Sequence, residues 1–349
     1  MHSYRQGIFR NSFEERIFDK IRRTCRWCVQ FADRGYAGPL AASVFHNVET
    51  RDFHGTLSDV TTFAGPQSRE IDILLEVYEP QQARLLVSCK DLMKQVQIDH
   101  VSDYEALLNA LRSSAHDWMY WAMVVAQHGF QSGCEDTAKR ADIALIPPVT
   151  GNVVWLKYLS SEDVAEMVQD AIKVFLLGEI FWLDASSYSA GNLYNAMFIV
   201  TREPSGMLGQ TKIRKPDGRE TQMEAFVDEA MAKEANKYRI PLSRRRTYIP
   251  LFDPPRVQSM DKRSKLASSP VRSVTISPAT GIDFFRVRTA KGRELIADRQ
   301  RAVYTPNADG SRHRLVRIDK LRVGTKIICV SEDGATTELD EVREVETLR

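Results

Sequence analysis

Residues 68–91 read SREIDILLEVYEPQQARLLVSCKD, and this stretch decides the fold. It contains two apolar runs, at residues 71–78 and 84–89, which are joined by the short polar segment EPQQA. Runs of this length, rich in residues that favour strands and separated by a polar turn, predict two adjacent β-strands. Charged and polar residues interrupt both runs at positions where a buried strand should be apolar.

The polar residues of these two strands fall on shared faces, because side chains alternate along a strand. Glu70 and Asp72 point the same way, and so do Ser88 and Lys90. If the strands pair, two carboxylates, a hydroxyl and an ammonium group can meet on one side of a sheet edge. Such oxygen ligands suit Mg²⁺, which takes one or two carboxylates and keeps several waters. A lysine beside them can stabilise negative charge on a phosphoryl group.

The flanking sequence predicts one α/β domain over residues 1–150. An amphipathic helix begins near Ser12, and a strand is predicted near residues 41–48. After the two strands, the pattern predicts a helix, a strand, a helix and a strand, at residues 99–113, 119–126, 135–140 and 143–146.

Two further parts are predicted before the C-terminal region. Residues 151–240 form an α+β extension of unknown role, with amphipathic helices at 161–177 and 223–238 and a turn at Pro216-Asp217-Gly218. Residues 241–272 contain five prolines and little apolar periodicity, which predicts a basic linker.

The composition is that of an ordinary globular protein, with 43% apolar and 27% charged residues among 349. No apolar run reaches the roughly 18 residues of a membrane span, and the N-terminal residues lack the apolar core of a secretory signal. The five cysteines show no disulfide or zinc spacing. We therefore expect a reduced, cytoplasmic protein with no membrane partner.

The net charge of +2 hides an uneven distribution. Residues 241–272 carry eight basic and two acidic residues, and residues 281–330 carry twelve basic and five acidic residues. Residues 331–349 carry two basic and seven acidic residues. Basic blocks suit a polyanion such as DNA, although a solvated charged surface gives the same pattern. The predicted DNA-binding residues are Lys94, Arg244, Arg245 and Arg246.

The order of motifs resembles the PD-(D/E)xK nuclease superfamily, and more closely its Mrr-like restriction-endonuclease branch. There a helix that opens with Phe-Glu precedes G-(I/V)-D-(I/L), which precedes V-(Q/E)-x-K. This chain has Phe13-Glu14, then Glu70-Ile71-Asp72-Ile73, then Val87-Ser88-Cys89-Lys90. The resemblance covers about residues 10–150. It implies an α/β, restriction-endonuclease-like fold with a mixed central sheet flanked by helices.

The resemblance also implies a metal-dependent catalytic site. Asp72 would be a metal ligand, Lys90 the catalytic lysine and Glu14 the helix carboxylate that binds the metal or a water on it. The backbone carbonyl of Cys89 would complete the metal shell. Glu70 is a further candidate ligand because it shares a face with Asp72. The implied cofactor is Mg²⁺ or Mn²⁺.

Ser88 departs from the family pattern, which has an acidic residue or glutamine there as part of the catalytic site. A neutral hydroxyl is a weaker metal ligand, unless Glu14 or Glu70 compensates. Two simpler interpretations remain open: Glu14 can belong to an N-terminal capping box, and Asp72 with Lys90 can form a cross-strand ion pair that contributes little.

The C-terminal residues 273–349 predict a small all-β module. Within it, residues 284–330 resemble part of the Hint fold of inteins and hedgehog-type processing domains. The family's catalytic pair falls on Asp298 and Arg301, which cannot perform its chemistry, so we expect a degenerate module that binds or packs. Its predicted strands are FFRVRT, GRELIA, RAVYT, RLVRI and KIICV.

Together, the residues and the resemblance predict a Mg²⁺-dependent endonuclease that hydrolyses phosphodiester bonds in DNA, in prokaryotic antiviral defence or DNA processing. The main alternative is a catalytically weakened nuclease-fold subunit that binds DNA or acts as a scaffold in a defence complex, which Ser88 favours. A third possibility is a subunit that cuts only when partner proteins assemble. Because one such centre cuts one strand, a double-strand break requires two copies, and a homodimer or defence-system partner proteins are expected.

Overall fold

The computed structural model describes residues 12–31, 71–77, 83–92, 94–114, 118–149, 159–177, 206–233, 236, 238–260, 266–278, 283–299, 301–307, 313–331 and 336–348. The chain divides into two compact units. Unit 1 contains residues 1–202 and 238–244, and unit 2 contains residues 203–237 and 245–349.

Helices and strands are both well represented, so the fold is of the mixed α/β class. The longer helices are α1 (Ser12–Phe31), α2 (Ile98–Ser114), α3 (Cys134–Ala141), α4 (Ser161–Leu177) and α5 (Met223–Met231). The strands are β1 (Ile73–Val77), β2 (Ala83–Lys90), β3 (Met119–Ala126), β4 (Ile143–Ile146), β5 (Lys212–Arg214), β6 (Glu220–Gln222), β7 (Ile240–Pro241), β8 (Thr247–Pro250), β9 (Arg256–Met260), β10 (Leu266–Pro270), β11 (Ser273–Ile276), β12 (Phe284–Thr289), β13 (Glu294–Asp298), β14 (Ala302–Pro306), β15 (His313–Arg317), β16 (Lys326–Val330) and β17 (Thr337–Leu348).

Unit 1 is built on a four-stranded mixed sheet of order β1-β2-β3-β4. β1 is antiparallel to β2, whereas β2, β3 and β4 run parallel. Helices pack on both faces: α2 and α3 cover one, and α1 and α4 cover the other. Trp121 of β3 contacts Phe175 of α4 edge-on, with ring centroids 6.0 Å apart. A central parallel strand covered on both faces must be apolar throughout, which explains the uninterrupted sequence of β3.

The sequence located this sheet well. The predicted strands at 119–126 and 143–146 and the helix at 161–177 have the predicted bounds. β1 begins at Ile73 rather than at residue 71, because the chain bends at Asp72. The strand predicted near residues 41–48 lies outside the described residues.

Unit 2 contains a four-stranded antiparallel sheet of order β13-β12-β17-β16 and the two-stranded ribbon β14-β15. Val287, Ile327 and Val342 form the centre of its main core, against which β14 and β15 pack with Val303 and Val316. The predicted turn at Pro216-Asp217-Gly218 joins β5 to β6, and Gly218 has a positive φ of 86° there. The five strands predicted in this region are all present.

Three features of the C-terminal half differ from the prediction. The described residues of the predicted linker, 241–260 and 266–272, contain β8, β9 and β10, and Tyr248 and Ile249 are fully buried. The prolines did not prevent this, because Pro250 and Pro270 stand at strand ends, where proline is tolerated. The acidic tail forms β17, and the helix predicted at 223–238 ends at Met231.

Within the described residues, no helix is both long enough and apolar enough to span a membrane.

Asn236 holds together two segments of unit 2. Its fully buried amide nitrogen donates to the carbonyl oxygens of Ala230 and Asp253, each at 2.9 Å, and its Oδ1 accepts the Asp253 N–H at 2.8 Å. These bonds join the end of α5 to the chain that follows β8.

We predict that Asn236→Ala lowers the free energy of unfolding of unit 2 by about 2–4 kcal/mol, because it leaves buried backbone groups without partners. Calorimetry measures this loss. Lys233→Ala is the matched control, since it removes only the exposed 2.7 Å ion pair to the same Asp253 and should cost under about 1 kcal/mol. Equal losses in the two variants would contradict the role of the amide.

Candidate active site

Asp72 is the central acceptor of the candidate site. Its Oδ2 accepts the backbone N–H of Cys89 at 2.6 Å and the hydroxyl of Ser88 at 3.2 Å. The register of β1 and β2 explains this contact, because Ile73 pairs with Val87 and the preceding residue therefore lies opposite Ser88. The structure thus brings Asp72 to the end of β2, as the alternation pattern predicted.

Ser88 is 0% exposed and uses its hydroxyl to orient Asp72. This contact was missed at the sequence level, where Ser88 was considered only as a weak metal ligand. The signal was available in the length of the connection between the strands, since a short turn sets the register.

Lys90 ends β2 and is half-buried. Its carbonyl oxygen accepts the N–H of Gln127 at 3.1 Å, which continues the parallel pairing of Lys90 with Ala126 beyond the end of β3. Side-chain alternation places Lys90 on the same face as Ser88. Among the described residues, no ion pair joins Asp72 to Lys90, so the simple cross-strand pair is absent from this part of the chain.

Glu14 lies in the first turn of α1 and is 6% exposed. A glutamate that only caps a helix end would be expected to face solvent, whereas this carboxylate is buried on the side of the helix that packs on the sheet. Its charge acts on Cys89 of β2. Glu14 is therefore near the same strand end as Asp72.

The pKa of the Cys89 thiol depends on the charged groups of the site. Burial raises the pKa of this thiol well above its ordinary value; the negative charges of Asp72 and Glu14 raise this pKa further, and Lys90 opposes them. The charges of all three groups therefore act on this one thiol. Because the thiol stays protonated at physiological pH, only the backbone carbonyl of Cys89 is available as a metal ligand.

The residues present fit Mg²⁺ better than a metal that needs a full set of side-chain ligands. In the part of the chain that the structure describes, no three His, Cys, Asp or Glu residues form a metal-binding group. Asp72 and Glu14 supply two carboxylates, however, and Mg²⁺ commonly uses one or two together with waters and a phosphate. Glu70, the other predicted ligand, lies outside the described residues.

The predicted DNA-binding residues differ in their exposure. Lys94 and Arg245 are exposed, and Arg245 has a positive φ of 57°. Arg246 is 4% exposed, so its guanidinium is removed from the surface at which a DNA backbone would lie. The side chain of Arg244 lies outside the described residues.

In unit 2, the predicted degenerate pair is fixed by backbone contacts. The Asp298 carboxylate is buried and accepts the N–H of Gly206, while the Asp298 N–H donates to the Gly206 carbonyl at 3.2 Å. The Arg301 N–H donates to the carbonyl of Asp298 at 3.1 Å. Asp298 therefore links Gly206, near the start of unit 2, to the end of β13 by hydrogen bonds.

No protein-family model and no curated protein matches the chain. Among solved structures, the chain is similar to inteins over about 42% of its length. The TvoVMA intein is 20% identical with a TM-score of 0.37 and is covered over 81% of its length. The PabCDC21-1 intein is 18% identical with a TM-score of 0.36, and 83% of its length is covered. The KlbA intein precursor from Methanococcus jannaschii is 20% identical with a TM-score of 0.35, and 77% of its length is covered. At these values, the similarity carries no argument about activity.

We predict that Asp72→Ala lowers the free energy of unfolding of unit 1 by about 2–4 kcal/mol, because the Cys89 N–H and the buried Ser88 hydroxyl lose their acceptor. Ser88→Ala should cost only about 1 kcal/mol, since Asp72 keeps the Cys89 contact. All five tryptophans of the chain lie in residues 1–202, so tryptophan fluorescence during urea unfolding measures unit 1.

The control is Ser113→Ala, which removes an exposed hydroxyl bonded to the Asn109 carbonyl on α2 and should change stability by less than about 0.5 kcal/mol. An Asp72→Ala variant as stable as this control would show that the Asp72 contacts do not form in solution.

Proposed function

We propose that unit 1 is a metal-dependent deoxyribonuclease that hydrolyses phosphodiester bonds. The observation that carries the proposal is the contact of Asp72 with Ser88 and with the Cys89 N–H at the end of β2, beside a thiol on which the charges of Glu14 and Lys90 also act. Two carboxylates and an ammonium group at one sheet edge form the set of groups that phosphodiester hydrolysis requires. The mixed sheet with helices on both faces supports the proposal, because it is the arrangement that the resemblance to PD-(D/E)xK nucleases implies.

Asp72 and Glu14, with the carbonyl of Cys89, would hold a divalent cation, which when bound supplies charge stabilisation at the phosphate and activates water. The Ser88 hydroxyl and the Cys89 N–H fix the orientation of Asp72 before any substrate binds. This preorganisation matters because a ligand that must reorient costs free energy during the reaction.

Lys90 would neutralise the negative charge that develops on the phosphoryl oxygens. Its backbone is held by β3, through pairing with Ala126 and through the Gln127 N–H. The ammonium group would extend from this strand end, and the half-buried position of Lys90 leaves it accessible to a DNA backbone.

We expect Asp72→Asn and Lys90→Ala each to reduce the rate of plasmid cleavage by about 10²–10³-fold, because each removes a charge that acts on the transition state. The assay uses purified full-length protein with Mg²⁺ or Mn²⁺ and follows nicked and linear plasmid on a gel. EDTA should abolish cleavage. Lys139→Ala is the matched control, since it removes an exposed lysine of unit 1 that pairs with Glu135, and its cleavage rate should equal that of the wild type.

Cleavage that survives both active-site substitutions would come from another site or a contaminant and would refute the proposal. DNA binding with no cleavage by the wild type would instead support the second candidate function, a nuclease-fold subunit that binds DNA without cutting it.

The observation that favours this second candidate is the buried, neutral Ser88. A carboxylate at this position would add a third charged ligand. We predict that Ser88→Glu lowers the Mg²⁺ concentration at which cleavage is half-maximal, whereas the neutral Ser88→Gln of equal length does not. Metal-dependent cleavage curves for folded variants measure the effect. A Ser88→Glu variant with the metal dependence of Ser88→Gln would show that Ser88 does not limit metal binding.

A further inference from the structure

Two sets of positive charges in the C-terminal part of unit 2 differ in their contacts. The first set lies on β12 and in the turn that follows it, and each member contacts a carboxylate of β13 or β17. The pairs are Arg286–Glu346 at 2.8 Å, Arg288–Glu294 at 2.8 Å, Arg288–Glu344 at 3.1 Å, Arg293–Asp340 at 2.9 Å, Arg293–Glu338 and Lys291–Glu338. These cations are largely neutralised within the unit.

The second set, which we call the basic surface, consists of Arg314, Lys320, Arg322 and Lys326. All four side chains are exposed, and none forms an ion pair with a carboxylate of the described residues. Arg314 donates to the Thr305 hydroxyl and Arg322 to backbone carbonyls. These acceptors are neutral. Lys320 acts electrostatically on Asp319, and Lys326 pairs in register with Glu341, but neither cation forms an ion pair with these carboxylates within the described residues, so the surface keeps an excess of positive charge.

Two exposed apolar side chains lie among these cations. Leu315 is 61% exposed and Val323 is 65% exposed, the highest values among the large apolar residues of the described chain. Each directly follows an arginine of the basic surface. Each of these side chains can therefore add apolar contact to a partner that the neighbouring arginine binds.

The fold brings the first and last residues of the basic surface, Arg314 and Lys326, to strands that neighbour β14. β15, which carries Arg314 and Leu315, pairs with β14, and β14 lies beside β16, which begins at Lys326. The cations at the two ends therefore flank the same strand. A chain of regularly spaced anions fits this arrangement better than a single anion.

We propose that the basic surface binds the sugar-phosphate backbone of DNA. Each cation that neutralises a phosphate releases condensed counterions, which favours binding. Leu315 and Val323 would contact sugars or bases between the phosphates. The surface lies in unit 2 and needs none of the residues of the candidate active site, so DNA binding here is separate from cleavage.

The test measures fluorescence anisotropy of a short labelled duplex and of its single strand with the full-length protein in EDTA. We compare the wild type with a variant that carries Arg314→Gln, Lys320→Gln, Arg322→Gln and Lys326→Gln. Affinity should fall at least tenfold near 100 mM salt, and the slope of log affinity against log salt should decrease by about one for each lysine or arginine removed. The control is Arg286→Gln with Arg288→Gln, which should change affinity less than twofold because these arginines are already paired.

The four single substitutions keep the test valid if the combined variant does not fold, since each should reduce the salt slope by about one. Leu315→Ser with Val323→Ser should weaken binding without changing the slope. An unchanged affinity and slope in folded variants would overturn the proposal. So would binding of polyglutamate in place of DNA, which would identify an acidic protein segment as the partner.

Because EDTA prevents metal-dependent cleavage, these outcomes are independent of the nuclease proposal. Cleavage that is lost in Asp72→Asn without loss of anisotropy signal would leave the basic surface intact. Unchanged binding in the folded combined variant, together with cleavage that depends on Asp72 and Lys90, would refute the basic surface alone.

Discussion

The candidate site depends on the antiparallel register of β1 and β2. Pairing of Ile73 with Val87 places Asp72 beside Ser88 and the N–H of Cys89. A shift of one residue would move every side chain of the strand to the opposite face. The register is well determined, because Ile73 and Leu75 are fully buried and a shifted strand would expose them. Burial of two apolar residues thus fixes the position of one carboxylate.

The buried environment explains why a neutral residue can stand at position 88. Asp72 and Glu14 both place negative charge near Cys89, where water is largely excluded and like charges repel strongly. A third carboxylate on a fully buried residue would add to this repulsion unless a cation compensated for it. The serine hydroxyl instead donates to Asp72 and lowers the cost of burying it. Ser88 therefore stabilises the folded chain while weakening its ligand set, and these opposing effects separate the two candidate functions.

The sequence was informative where a local pattern reflects burial. The uninterrupted apolar run of β3 predicted its bounds, because a strand covered on both faces leaves no position for a polar side chain. The order of Phe13-Glu14, Asp72 and Lys90 predicted that these charged groups lie near one strand end. The structure brings Asp72 to Ser88 and to the Cys89 N–H, and the charges of Glu14 and Lys90 act on the Cys89 thiol. The contact of Ser88 follows from the register that the short connection between β1 and β2 sets, whereas the contact of the Gln127 N–H depends on pairing between strands that are distant in the sequence.

β17 shows why other elements could not be predicted. Its composition is that of a solvated acidic tail, and only Val342 and Val345 contribute to the core. The carboxylates that obscure the strand are paired with arginines of β12 and of the turn that follows it, which lie about fifty residues earlier in the chain. Each exposed pair contributes little alone, so the strand is held mainly by its backbone bonds to β12 and β16 and by its valines. The same pairing has an electrostatic consequence: β17 neutralises the cations of β12 and of the turn that follows it, whereas the four cations of the basic surface form no ion pair within the described residues. β17 also borders the basic surface, because Glu341 pairs in register with Lys326.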